Sequence, residues 1–154
     1  MTRVVVDSSL AIKWLFIEDQ STEAIAQLRD WVSQGVERLV PSWFMCELAN
    51  VVYQRVRQRI QPLQDAQANF RDIVRFVRIL DAEPGVSLRA LQLAHDLGQG
   101  ATYDTHYLSL AEQLDCDLWT ADEHFWRAAI STHGRVKWIG QSALQPPAMF
   151  DPST

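Results

Sequence analysis

Four acidic residues sit where a soluble protein seldom leaves a carboxylate. Asp7 closes the apolar run Val4-Val5-Val6, and Asp122 follows a second strand-like run, Asp117-Leu118-Trp119-Thr120. Asp104 falls inside the apolar arc of one amphipathic segment, and Glu47 lies at the margin of another. Ionised carboxylates are rarely buried unless they are paired or bind metal. Gathered into one pocket, the four would repel one another and raise each other's pKa, and a hard divalent cation would relieve that repulsion. All-oxygen ligation suits Mg²⁺ or Mn²⁺ rather than zinc, and the four scattered histidines show no zinc spacing. Such an ion can lower the pKa of a bound water and clamp an in-line displacement at phosphorus. The chemistry suggested is metal-assisted hydrolysis of a phosphodiester.

Each acid also has a plainer reading. Asp is a favoured N-cap, so Asp7 and Asp122 can simply cap the helices that follow them. At 100° per residue, Glu47 projects about 60° from Phe44 and about 40° from Val51, which a solvated edge residue would also do. On its helical wheel Asp104 projects between Leu108 and Ala111, within the arc of Tyr103, Tyr107, Leu110, Ala111 and Leu114. A buried salt bridge would account for it. A ligand or metal role is more economical, because three other acids are placed to meet it.

Short apolar runs predict strands over 3–7, 39–40, 117–121 and 136–139. Ser8 and Ser9 are candidate caps for the helix after the first strand, which carries Ile12, Trp14 and Leu15. Helical spacing predicts further helices over about 20–34, from a Ser42 cap to Arg59, and over 62–80, 102–114 and 123–131. Glu83-Pro84-Gly85 reads as a loop, with Ser87 capping a short helix that ends at Gly98. Alternating strands and helices imply a parallel sheet covered on both faces. Ligands of such sheets bind outside the carboxyl ends of the strands, the edge where Asp7 and Asp122 fall.

At 154 residues the chain fits one domain, read here as residues 1–140 with an irregular tail over 141–154. Apolar residues make up 47% and charged residues 21%, ordinary for a soluble globular protein. No run approaches the length of a membrane span, and no signal peptide is visible, so a cytoplasmic location is expected. Cys46 and Cys116 form no CxxC pair and read as reduced thiols. A net charge of -5 argues against electrostatic coating of nucleic acid, but less against local handling of it. Six tryptophans are many for this length; most read as core or interface, and an exposed one would stack on a base.

The opening VVVDSSLAIKWL, the segment PSWFMCELANVV and above all YDTHYLSLAEQLDCDLWTADEHF resemble the PIN-domain ribonucleases. The closest type is the VapC-like toxin of toxin–antitoxin pairs, and the resemblance runs from about residue 3 to 139. It implies a PIN-like three-layer α/β/α fold with a short central parallel sheet and a projecting helical pair. It implies a metal-dependent endoribonuclease, with Asp7, Glu47, Asp104 and Asp122 as the catalytic quartet that binds Mg²⁺ or Mn²⁺. Ser9 and Thr120 match supporting hydroxyl positions, and a helix cap and a plain strand residue are their alternative readings. The resemblance further implies an RNA substrate, a homodimer and a VapB-like antitoxin.

His106, in YDTHY, departs from the family pattern, which more often has a small or apolar residue there. Contact with RNA, proton shuttling and a partly exposed helix position are all open for it. Arg71, Arg75 and Arg78 recur on one helical face, and Arg55 and Arg59 on the preceding helix. They can grip phosphates or acidic partner residues, or form a solvated face with local salt bridges. Arg57 and Lys13 are of the same kind. The alternative function is a catalytically weak RNA- or protein-binding module on the same fold. A haloacid-dehalogenase-type phosphatase needs a second Asp where this chain has Ser9, and no P-loop is present.

Overall fold

The β-branched run at the start of the chain forms the middle of the molecule. In the computed structural model, which describes residues 1–141, β1 (Arg3–Val6) is the central strand of a five-stranded sheet. Its neighbours are β2 (Glu37–Pro41) on one side and β4 (Asp117–Thr120) on the other, with β3 (Arg78–Leu80) and β5 (Val136–Trp138) at the edges. All four pairings are parallel. Val5 and Val6 are fully buried, because helices cover both faces of a parallel sheet.

The helices are α1 (Ser8–Ala11), continued by a 3₁₀ turn over Ile12–Trp14, then α2 (Ser21–Gln34), α3 (Phe44–Arg57) and α4 (Leu63–Val74). After β3 come α5 (Pro84–Asp96), α6 (Tyr103–Gln113) and α7 (Glu123–Ala129). The α3–α4 pair packs together, as do α5 and α6. No helix among the described residues is long and apolar enough to cross a membrane. The predicted irregular tail, beyond Gln141, lies outside the described residues.

Several local expectations are corrected. The helix predicted over 62–80 stops at Val74, and Arg78–Leu80 becomes an edge strand paired with β2. The segment satisfies both periods: its arginines keep helical spacing, while Val77, Ile79 and Leu80 suit a strand. Arg78 therefore leaves the expected basic helical face and pairs with Glu37 at 2.7 Å. The helix predicted to reach Arg59 ends at Arg57, and Arg59 adopts a left-handed φ of 59° beyond it. Asp7, not Ser8 or Ser9, caps α1. Ser42 does not cap α3, whose cap position is Trp43. The predicted Glu83-Pro84-Gly85 loop is instead the start of α5, with Pro84 in the first turn, where its missing N–H costs nothing.

Candidate active site

The strand order 3-2-1-4-5 reverses direction between β1 and β4. A crevice opens at such a switch point, outside the carboxyl ends of the strands. β1 ends at Val6, directly before Asp7, and β4 ends at Thr120, directly before Ala121-Asp122. α3 follows β2 and carries Glu47 in its first turn; α6 runs antiparallel into β4, which brings Asp104 in its first turn to the same edge. Four separate elements thus deliver the four acids to one rim.

A chain of hydroxyls ties the rim together. Ser9 Oγ donates to Asp7 Oδ1 at 2.7 Å, and the Leu10 N–H donates to the same oxygen at 3.0 Å. Ser9 Oγ in turn accepts the Ala121 N–H at 3.0 Å and lies 3.2 Å from Thr120 Oγ1. Thr120 Oγ1 accepts the Asp122 N–H at 3.0 Å. Asp122 Oδ1 caps α7 by accepting the Phe125 N–H at 2.9 Å. Glu47 Oε2 accepts two further hydroxyls, from Ser8 at 2.8 Å and from Tyr107 at 2.7 Å. The sequence reading missed Ser8 and Tyr107 as supports, treating one as a cap and the other as part of an apolar arc.

Electrostatics record the crowding. Asp7 is 2% exposed, and burial lifts its carboxyl from the ordinary 3.8 to about 7. Hydrogen bonds from Thr120, Ser9 and Leu10 oppose that rise, while the Asp104 charge adds to it. Asp104 is pushed up to about 6, first by burial and then by repulsion from Asp122 and Glu47. The Tyr107 hydroxyl, buried beside the Glu47 charge, is raised well above its ordinary value and stays a donor.

The donor set is all hard oxygen, the chemistry that Mg²⁺ or Mn²⁺ takes. Among the described residues, however, no three Asp, Glu, His or Cys side chains converge closely enough to hold one ion between them. Mg²⁺ does not require such a cluster, since it keeps several waters and needs only one or two direct carboxylates.

The chain matches the PIN domain family model over residues 4–131. It belongs to the PIN domain family. Solved structures with the same fold include PAE2754 from Pyrobaculum aerophilum, at 18% identity and a TM-score of 0.67, covering 94% of this chain and 91% of that one. VapBC2 from Rickettsia felis, bound to a DNA fragment from its promoter, aligns at 14% identity and TM-score 0.64, covering 83% and 94%. The Mycobacterium tuberculosis VapC20 toxin, which cleaves the sarcin–ricin loop, aligns at 16% identity and TM-score 0.61, covering 82% and 95%. No curated protein sequence matches the chain.

The expected basic residues meet different surroundings. Arg55 lies 3.7 Å over the Phe16 ring and 3.5 Å from Glu18. Arg75 pairs with Asp72 at 3.8 Å, and Arg71 lines the groove between α3 and α4. All six tryptophans are buried or half-buried, so none offers the open stacking face that the sequence left possible. Tyr103 does: expected in the apolar arc of α6, it is 70% exposed, because the buried side of that helix begins at Thr105. His106 is half-buried against Trp43, their ring centroids 5.2 Å apart.

Proposed function

We propose that this PIN-domain protein is a Mg²⁺- or Mn²⁺-dependent endoribonuclease, acting as the toxin of a toxin–antitoxin pair. The observation that carries the reading is the delivery of Asp7, Glu47, Asp104 and Asp122, from four elements, to the switch point of a parallel sheet. A bound divalent ion supplies Lewis-acid polarisation of the phosphate and a more acidic water. Asp7 and Asp104 hold it, with Asp122 and Glu47 completing the site directly or through water. Ser9, Thr120, Ser8 and Tyr107 keep the carboxylates aimed at the crevice.

The toxin role draws on the VapBC complexes and the RNA-cleaving toxin among the structural neighbours. A VapB-like antitoxin, a homodimer and a cytoplasmic location belong to the same proposal. A second reading, a PIN-fold binding module without catalysis, is favoured by the lack, among the described residues, of three Asp, Glu, His or Cys side chains grouped closely enough to hold one ion. Against it stands the cost of burying Asp7 and crowding Asp104, which a scaffold has no reason to bear.

Cleavage of total RNA by purified, partner-free protein separates the two readings. Discrete fragments with Mn²⁺ or Mg²⁺, absent with EDTA and absent for Asp104→Asn, are expected. RNA binding without cleavage, unchanged by EDTA and by Asp104→Asn, favours the binding module.

A further inference from the structure

A second concavity adjoins the acidic rim and shares Glu47 with it as a wall. It has a volume of about 340 Å³ and is lined by Trp43, Tyr103, His106, Ser87 and Thr102 beside that glutamate. That size is at the lower end for small-ligand sites, about 300–1,000 Å³. The geometry points to a nucleobase subsite: one unpaired base of the RNA, flanking the bond that is cut, stacks here. The assignment rests on the nuclease reading for its substrate and names where that substrate's base goes.

Three features carry it. The lining holds no Lys or Arg, so it is not built for phosphate. What RNA presents to an aromatic wall that carries the Glu47 carboxylate and no cation is a base, and unstacked bases are recognised by aromatic side chains in this way. The walls are also fixed in advance. The Thr102 carbonyl only accepts, so His106 Nδ1, 2.6 Å away, carries its proton. In the neutral ring Nε2 is then the acceptor for the Ser87 hydroxyl at 3.2 Å. Trp43 locks edge-on against His106 and, at 6.0 Å, against Tyr107. Of the aromatic side chains in the lining only Tyr103 is exposed, with a ring that a stacked base would cover. Finally, Tyr103 is adjacent in sequence to Asp104, so a base here belongs to a nucleotide beside the reacting phosphate.

The test is an abasic scan. A single-stranded RNA cut at one bond is prepared with an abasic nucleotide at each position in turn, and kcat/KM is measured for wild type, Tyr103→Phe and Tyr103→Ala. One position within a few nucleotides of the cut should lose roughly tenfold when its base is removed, mainly through KM. That penalty should persist in Tyr103→Phe and shrink to near unity in Tyr103→Ala, which itself cuts the intact RNA more weakly. A flat scan, or a penalty equal in all three proteins, overturns the subsite while leaving the nuclease intact. Anisotropy of the same RNAs on Asp104→Asn separates the two claims. A Tyr103-dependent abasic position in binding, without wild-type cleavage, supports the subsite and sinks the nuclease. Neither cutting nor binding removes both. If Tyr103→Ala weakens only a protein partner, the pocket is not a base site.

Discussion

Replacing Asp7 by Asn should stabilise the metal-free protein at pH 8 and destabilise it by about 2 kcal/mol or less at pH 4, where only the cost of burying the amide remains. The unfolded chain releases this proton near 3.8, whereas the folded chain holds it until about 7. Between those values the folded state binds more protons, so stability falls as pH rises. The penalty is absent below 3.8 and complete above 7. It spans about three decades of pH, at 1.36 kcal/mol each, which sets a ceiling of about 4 kcal/mol. The amide must still be buried, which reduces the gain to about 2 kcal/mol. Asn caps a helix nearly as well as Asp, and its Oδ1 can still accept from Leu10 and Ser9. In a chain of this size 2 kcal/mol is a rise in Tm of roughly 4–8 °C. The assay is thermal unfolding with EDTA across pH 4–8. Saturating Mg²⁺ should then stabilise wild type more than the variant, because the ion binds only the folded site. An Asn variant that is no more stable at pH 8, or is equally more stable at pH 4, would refute the reasoning.

Three further outcomes are expected. Asp104→Asn should lower metal-dependent RNA cleavage by more than about 100-fold, beyond the 10–100-fold usual for supporting residues, while its far-UV spectrum stays unchanged. Tyr107→Phe keeps the buried ring and removes only the donor to Glu47; the Mn²⁺ concentration for half-maximal cleavage, and for calorimetric binding, should rise roughly tenfold or more. Gly140→Ala should cost about 1–3 kcal/mol by urea unfolding, because an added Cβ would collide with the Trp138 ring, itself stacked on Trp126.

The layered fold was legible because two of its inner strands are short apolar runs with an acid within two residues of their ends. β1 and β4 announce themselves in Val4-Val5-Val6 and Leu118-Trp119-Thr120, and the helices between them have clean apolar faces. β3 was not legible. Around Val77–Leu80 local pattern fits both periods, and only pairing with Leu39–Pro41 of β2 decides between them. The hydroxyls on Glu47 were hidden for a related reason. Tyr107 lies 60 residues away in the chain, and on a helical wheel its ring alone accounts for its position. Tyr103 misled in the opposite direction: it keeps the period of the α6 arc, but a wheel cannot show that the first turn is left uncovered.

The two readings of Asp7 and Asp122, helix cap or functional acid, turn out not to compete. A cap uses one carboxylate oxygen: Asp7 Oδ1 serves the Leu10 N–H, and Asp122 Oδ1 serves the Phe125 N–H. A carboxylate has two oxygens, and the bond to the helix N-terminus fixes the direction in which the second one points. Capping thus leaves one oxygen of each carboxylate free for a second partner. Asp104 sits in the first turn of α6 and caps nothing, and Glu47 reaches the rim on a longer stem. For Glu47 the aiming falls to Ser8 and Tyr107. Asp104 has no such bond, and burial followed by repulsion from Asp122 and Glu47 pushes its carboxyl up to about 6.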